Sequence, residues 1–226
     1  MRLPPVTQGL LWSMVIVSVL QYLLGEAVFA PFMLWPWGEF QVGTGADGLP
    51  ISAGFMPWQL VTYAFLHAGV FSPPHLLFNG VALFQFGAPL EYTWGPRRFA
   101  LYFFTCVIGA GLCQLAVSTA MLASTGAIPT IGASGGVYGL LLAYGMLFPY
   151  QRLMMILPPV EMTARTLVIV FGVIELVLGV TGSAAGVAHF AHLGGMLFGW
   201  LLIRYWRGQP PFNKRKPPPP RFRIVN

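Results

Sequence analysis

Six apolar stretches divide this chain, at about residues 9 to 30, 74 to 90, 99 to 122, 134 to 148, 166 to 182 and 187 to 206, with breaks rich in Gly, Pro and charge between them. A helix needs about 20 apolar residues to cross roughly 30 Å of hydrocarbon. A chain of 226 residues that is 56% hydrophobic and 8% charged has too little polar surface for a soluble domain. The sequence therefore predicts an all-α membrane protein: a bundle of six transmembrane helices over residues 1–206, with a long outer loop between helices 1 and 2. The first stretch does not read as a cleaved signal peptide. It is longer than a typical signal core, follows only Arg2, and runs into the aromatic segment Phe29 to Trp37 rather than a small-residue cleavage site.

Lys and Arg are retained on the cytoplasmic side of short loops. With six spans and an inner N-terminus, all twelve basic residues fall on that side: Arg2, Arg97, Arg98, Arg152, Arg165, Arg204, Arg207, Lys214, Arg215, Lys216, Arg221 and Arg223. Without an organelle signal, the expected location is a bacterial inner membrane with both termini cytoplasmic. The segment 31–73 carries no Lys or Arg but holds Phe32, Trp35, Trp37, Phe40, Phe55 and Trp58. Such rings settle at a membrane interface, so the outer loop is expected to lie partly in the outer leaflet; a plain external loop is the alternative. Residues 207–226 hold six Pro and six basic residues and read as a disordered cytoplasmic tail. The net charge of +6 sits largely there, which points to anionic lipid rather than nucleic acid, a tail without partner being equally open. Cys106 and Cys113 lie seven apart on one helix, too far to bridge. No internal repeat of the kind found in many transporters is present.

Polar groups inside apolar spans are expensive unless paired or used. Three clusters stand out: His75 and Asn79 at the start of the second span, Gly132-Ala133-Ser134-Gly135 at the start of the fourth, and His189 and His192 at the start of the sixth. Spans two, four and six run in one direction, so these clusters share one depth. His75 and Asn79 are one helical turn apart and can face one site, although, taken alone, the pair reads better as a helix-end His and an interhelical Asn bond. Ser134 opens a helix among glycines, with an unobstructed hydroxyl and backbone N–H groups that lack intrahelical partners and could hold an oxyanion. From Ser134 to Phe148 the helix rises only about 22 Å, which starts the serine several Å below the surface. Gly135 and Gly139, with Gly195 and Gly199, have the spacing of small-residue packing positions, and close approach there would bring spans four and six together.

His192 is in phase with Gly195 and Gly199, whereas His189 lies nearer the loop, so His192 is the better base for Ser134. An imidazole suits both taking the serine proton and returning it to a leaving amine. No Asp lies in a later span to orient it, and the run lacks the strand of a hydrolase elbow, which leaves a Ser-His dyad. Tyr138, one turn beyond Ser134, could hold the imidazole by stacking. No cofactor and no metal is expected.

These residues resemble the rhomboid family, whose signature is Gly-x-Ser-Gly, an earlier His-x-x-x-Asn and a late Ala-His-x-x-Gly. Here they read Gly132-Ala133-Ser134-Gly135, His75-Leu76-Leu77-Phe78-Asn79 and Ala191-His192-Leu193-Gly194-Gly195. The resemblance covers roughly residues 50 to 204, including Glu91 and Tyr138, and implies a six-helix rhomboid-like bundle with a water-accessible site. By that resemblance Ser134 attacks the scissile carbonyl, His192 acts as base and then acid, and His75, Asn79 and the Ser134 N–H bind the oxyanion. Gly132, Gly135, Gly195 and Tyr138 would support them. The substrates implied are membrane proteins with a transmembrane segment, cut near its outer end.

The sequence departs from the family at Trp58-Gln59, where many members carry Trp-Arg, and at Val70 to Pro74, which lengthens the approach to His75. Glu175, midway through the fifth span, reads as a protonated interhelical hydrogen bond, with gating as a second possibility. Two other functions compete with proteolysis. One is a rhomboid-like protein that binds membrane clients without cutting them; the other is a metal transporter using His75, His189 and His192, which lacks the acidic clusters usual for ion paths.

Overall fold

The computed structural model describes residues 2–44, 48, 50–68, 73–154, 159–182 and 188–212, and for Thr44, Pro73 and Pro74 the backbone alone. Each of the six apolar stretches is helical. Helix α1 is Pro5–Leu24, and α2 runs through Pro73–Ala82, a π-helical turn Leu83–Gly87 and Ala88–Trp94. Helices α3, α4, α5 and α6 are Pro96–Ala120, Ser134–Leu147, Ala164–Thr181 and His189–Trp206. Among the described residues, α1, α3 and α5 are long and apolar enough to cross a membrane; α4 is apolar but shorter. The protein is thus mostly helical and built for a membrane.

The all-α expectation needs amending, because two antiparallel hairpins join the helices. Strands β1 (Glu39–Thr44) and β2 (Pro50–Gly54) pair within the segment between α1 and α2, and β3 (Arg152–Met154) pairs with β4 (Glu161–Thr163) between α4 and α5. Of the lengthened approach to His75, Val70 to Pro74, residues 70–72 lie outside the described residues, as does most of the basic tail.

The core forms where α3, α4 and α6 meet. Phe99, Tyr102, Phe103, Cys106 and Val107 recur at helical spacing along α3 and are all buried, facing Val137, Leu140 and Ala143 of α4. Backbone approach is close: a Cβ on Gly195 would lie 1.9 Å from the Gly135 carbonyl oxygen, and one on Gly139 would lie 2.4 Å from Cys106 Sγ. Only glycine permits this contact between α4 and α6. Both cysteines are free, Cys106 filling that glycine surface and Cys113 packing against Gly194.

The outward faces are apolar instead of charged. Trp12, Ile16, Val19 and Leu23 on α1, and Ile169, Val173, Leu176 and Val180 on α5, are exposed, as lipid-facing side chains must be. At the start of α1, buried Glu91 accepts from Val6 N at 2.9 Å and from Thr7 N and Oγ1 at 2.7 and 2.8 Å. A carboxylate thus satisfies orphan N–H groups where the helix dipole favours negative charge, and it ties α1 to α2.

Gln59 explains how the segment between α1 and α2 is held without the arginine usual beside the tryptophan. Its side chain is buried, donating to Pro31 O at 3.2 Å and Gly54 O at 2.9 Å and accepting from Trp35 N at 3.2 Å. Trp58 Nε1 and Thr62 Oγ1 add bonds to Pro31 O and Phe32 O. Leu34 and Thr130 exchange two backbone bonds, and Gly132 N donates to Tyr63 O, so the folded segment between α1 and α2 anchors the loop that precedes Ser134.

Candidate active site

Ser134 is the first residue of α4, half-buried, and preceded by Gly132 at φ +118°. This left-handed backbone turns the chain sharply into the helix, and a side chain there would be strained. It would also be obstructed, since a Cβ on Gly132 would lie 2.7 Å from His75 Nε2 and 3.9 Å from Ser134 Oγ. The missing side chain is what lets His75 stand beside the serine. The cap residue Ala133 offers no side chain to the first turn, whose N–H groups remain available to a ligand.

Packing of α4 against α6 brings Ser134 Oγ to 2.7 Å from His192 Nε2, a full hydrogen bond. It is His192 and not His189 that meets the serine. The Tyr138 ring stacks on the His192 imidazole with centroids 4.2 Å apart and planes 6° from parallel. Both histidines are buried, at 6% and 7% exposure. Asn79 is buried too, and its Nδ2 donates to His75 O at 2.8 Å, leaving one of its two N–H donors for other use. Gly135 and Gly195 make the backbone contact between α4 and α6 described above.

Two residues near this site were not given their place by sequence. His67, in the segment between α1 and α2, lies 2% exposed with its ring 5.2 Å from that of His75. The Gln21 amide holds its backbone on both sides, accepting from His67 N at 3.0 Å and donating to His67 O at 3.3 Å. Burial lowers the His67 imidazole to a pKa of about 4, and neighbouring His75 adds to the effect, so this ring is neutral at physiological pH. A histidine in a loop carries no periodic signal; its only cue was its place eight residues before His75.

The other is Glu175 of α5, whose position was noted but whose partners were not. Its Oε1 accepts from Tyr138 OH, its Oε2 lies 2.6 Å from His189 Nδ1, and the same Oε2 lies 3.0 Å from His192 Nδ1. The last approach is off the ring N–H direction and makes no in-line hydrogen bond; it is an ion pair only when His192 is protonated. Glu175, His189 and His192 present ligand atoms within 4.8 Å of one another, a donor set that could in principle take a divalent ion. Around zinc, ligands at about 2.0–2.2 Å stand roughly 3.3 Å apart. The 2.6 Å between His189 and Glu175 is instead the separation of groups hydrogen-bonded to each other. His75 is not a member of this group.

Comparison with known proteins agrees with this reading at the level of family. The Rhomboid domain model matches residues 54–208. RHOMBOID-like protein 4 of Arabidopsis thaliana is 33% identical over 80% of this chain and 43% of its own length. Rhomboid protease GlpG of Serratia proteamaculans is 28% identical over 89% of this chain and 62% of its own. For rhomboid protease GluP of Bacillus subtilis the figures are 29%, 72% and 29%. The chain spans less than two thirds of each of these relatives. The matched region holds the Gly132 to Gly135 run, the His75–Asn79 pair and the His192 segment, and the chain belongs to the rhomboid family.

Proposed function

We propose that this protein is an intramembrane serine endopeptidase that cleaves transmembrane segments of membrane proteins near their outer end. The observation that carries the reading is the 2.7 Å contact between Ser134 Oγ and His192 Nε2, with the imidazole held against Tyr138, in a helical membrane protein. Two of the relatives are named rhomboid proteases, which supports it. The topology proposed with it is six spans over residues 1–206, both termini and the 207–226 tail cytoplasmic, in a bacterial inner membrane.

In this mechanism His192 Nε2 takes the Ser134 proton as Oγ bonds to the scissile carbonyl carbon. The carbonyl oxygen becomes an oxyanion bound by the Ser134 N–H, the free Asn79 N–H and His75. The imidazolium then gives its proton to the leaving amine as the C–N bond breaks, and an acyl-enzyme remains on Ser134. Water, deprotonated by the same imidazole, hydrolyses that ester and restores the serine.

The test is cleavage of a single-pass substrate by purified protein in liposomes, alongside Ser134→Ala and His192→Ala. Product from the wild type and none from either variant is the expected outcome. If folded wild-type protein binds such substrates yet cuts none, and no fluorophosphonate labels Ser134, the chain is a client-binding protein and not an enzyme.

A further inference from the structure

The catalytic contact engages one nitrogen of His192 and says nothing of the other. His192 Nδ1 has less than 1 Å² of accessible area and no in-line hydrogen-bond acceptor. A buried imidazole that is to become imidazolium needs negative charge on that side, or the proton it accepts costs the full desolvation of a cation. Glu175 Oε2 stands 3.0 Å from that nitrogen.

Glu175 itself lacks another explanation. It is 5% exposed, and in α5 it is buried only with Ala164 and Leu167, both near the opposite end of the helix. Leu176, Val177 and Val180 around it face outward. An acid on such a helix is tolerated only if it is fully used. Its four lone-pair sites meet Tyr138 OH from α4 and His189 Nδ1 from α6, with His192 Nδ1 beside them. With His189 as its Nδ1–H tautomer, Glu175 accepts from two donors, the bonding pattern of a carboxylate.

We infer that Glu175 is a positioning residue for His192, its carboxylate held by Tyr138 and His189 where it stabilises the imidazolium formed during each proton transfer. The centre is then a Ser134–His192–Glu175 relay drawn from three helices, where sequence alone had suggested a dyad. No proton passes to Glu175; it supplies charge and orientation. Tyr138 acquires two tasks, its ring stacked on His192 and its hydroxyl fixing Oε1. His189 fixes Oε2, which accounts for its burial without making it a base.

This inference rests on the proteolytic reading, and the experiment separates the two. Glu175→Gln keeps size and hydrogen-bonding capacity but removes the charge; Glu175→Asp keeps the charge but leaves a methylene void and shortens the reach to Tyr138 and His189. A packing role predicts that Gln is mild and Asp is worse. The positioning role predicts the reverse order: for Gln, kcat down about 10²-fold or more with KM within about twofold; for Asp, kcat within about tenfold of wild type.

Fluorophosphonate labelling of Ser134, which needs no substrate binding in the membrane, should slow in the same order. If Glu175→Gln fails to fold, Glu175→Asp decides alone: kcat within about tenfold supports the assignment, and a loss of about 10²-fold overturns it. A folded Glu175→Gln enzyme that cleaves and labels like an active wild type removes Glu175 from the mechanism and leaves proteolysis standing. Failure of the wild type to cleave and label removes both.

Discussion

Gly195→Ala isolates how much of the proposed catalysis depends on helix separation. The added Cβ would stand 1.9 Å from the Gly135 carbonyl oxygen and 2.7 Å from its carbonyl carbon, both backbone atoms that no rotamer change can move aside. A carbon–oxygen contact settles at about 3.3 Å, so α4 and α6 must part locally by about 1.4 Å. Ser134 is the residue before Gly135 and His192 lies one turn before Gly195, so the opening acts on their 2.7 Å contact. Half of the displacement alone stretches it to about 3.4 Å, beyond a serine–imidazole hydrogen bond. Misplacement near 1 Å costs on the order of 10²-fold in rate, and kcat should fall by at least that much. Stability should fall by about 1–3 kcal/mol for overpacking, offset in part by about 1 kcal/mol of helix propensity. The protein therefore stays folded for assay. Gly9→Ala is the control, since a Cβ there meets nothing within 4 Å; it should leave kcat unchanged and stabilise slightly. A folded Gly195→Ala enzyme cleaving within twofold of wild type would refute the claim that this contact sets the serine–histidine distance.

Asn79→Ala should lower kcat about 10²-fold as an oxyanion donor is lost, with KM nearly unchanged, measured by substrate cleavage. Gln59→Leu leaves Trp35 N, Pro31 O and Gly54 O without this partner and should cost about 2–4 kcal/mol, read as a lower melting temperature in detergent. His67 has a folded pKa of about 4 against an ordinary 6.5. The unfolded chain therefore binds the proton first, and stability held above pH 6.5 is lost as pH falls towards 4, by about 3 kcal/mol in all. Melting curves between pH 7.5 and 4.5 should show that limb, and His67→Gln should flatten it.

The helices were legible because run length and hydropathy are properties of the chain itself. Ser134, His75 and His192 were legible because each opens a helix and alternate spans share an end. The hairpins were harder to see. Phe40-Gln41-Val42 and Pro50-Ile51-Ser52 do alternate, but the aromatic residues around them suggested an interfacial loop. Gln59 reads in sequence only as a missing arginine, whereas in space its neutral amide suits two carbonyls and one N–H, so no charge is required. Glu175 shows the limit most clearly. An acid in an apolar helix announces that it has partners, yet Tyr138 and His189 lie 37 and 14 residues away on other helices. Their meeting depends on the rotation of α5 against α4 and α6, which no spacing within α5 records.

Distance and orientation of His192 thus have separate structural origins, glycine packing of α4 on α6 for the first and the Glu175 cluster for the second. This separation fixes how the two perturbations must combine. Glu175 can act only while His192 is close enough to take the serine proton. Once Gly195→Ala has opened that contact, the charge behind the ring stabilises an imidazolium that seldom forms. The double variant Gly195→Ala with Glu175→Gln should therefore lose far less than the product of the single losses, approaching the larger of the two. Single effects of about 10² each would multiply to about 10⁴ if independent. A double variant whose kcat reaches that product would show that Glu175 acts through something other than His192. One that stays near 10² ties both effects to the same imidazole.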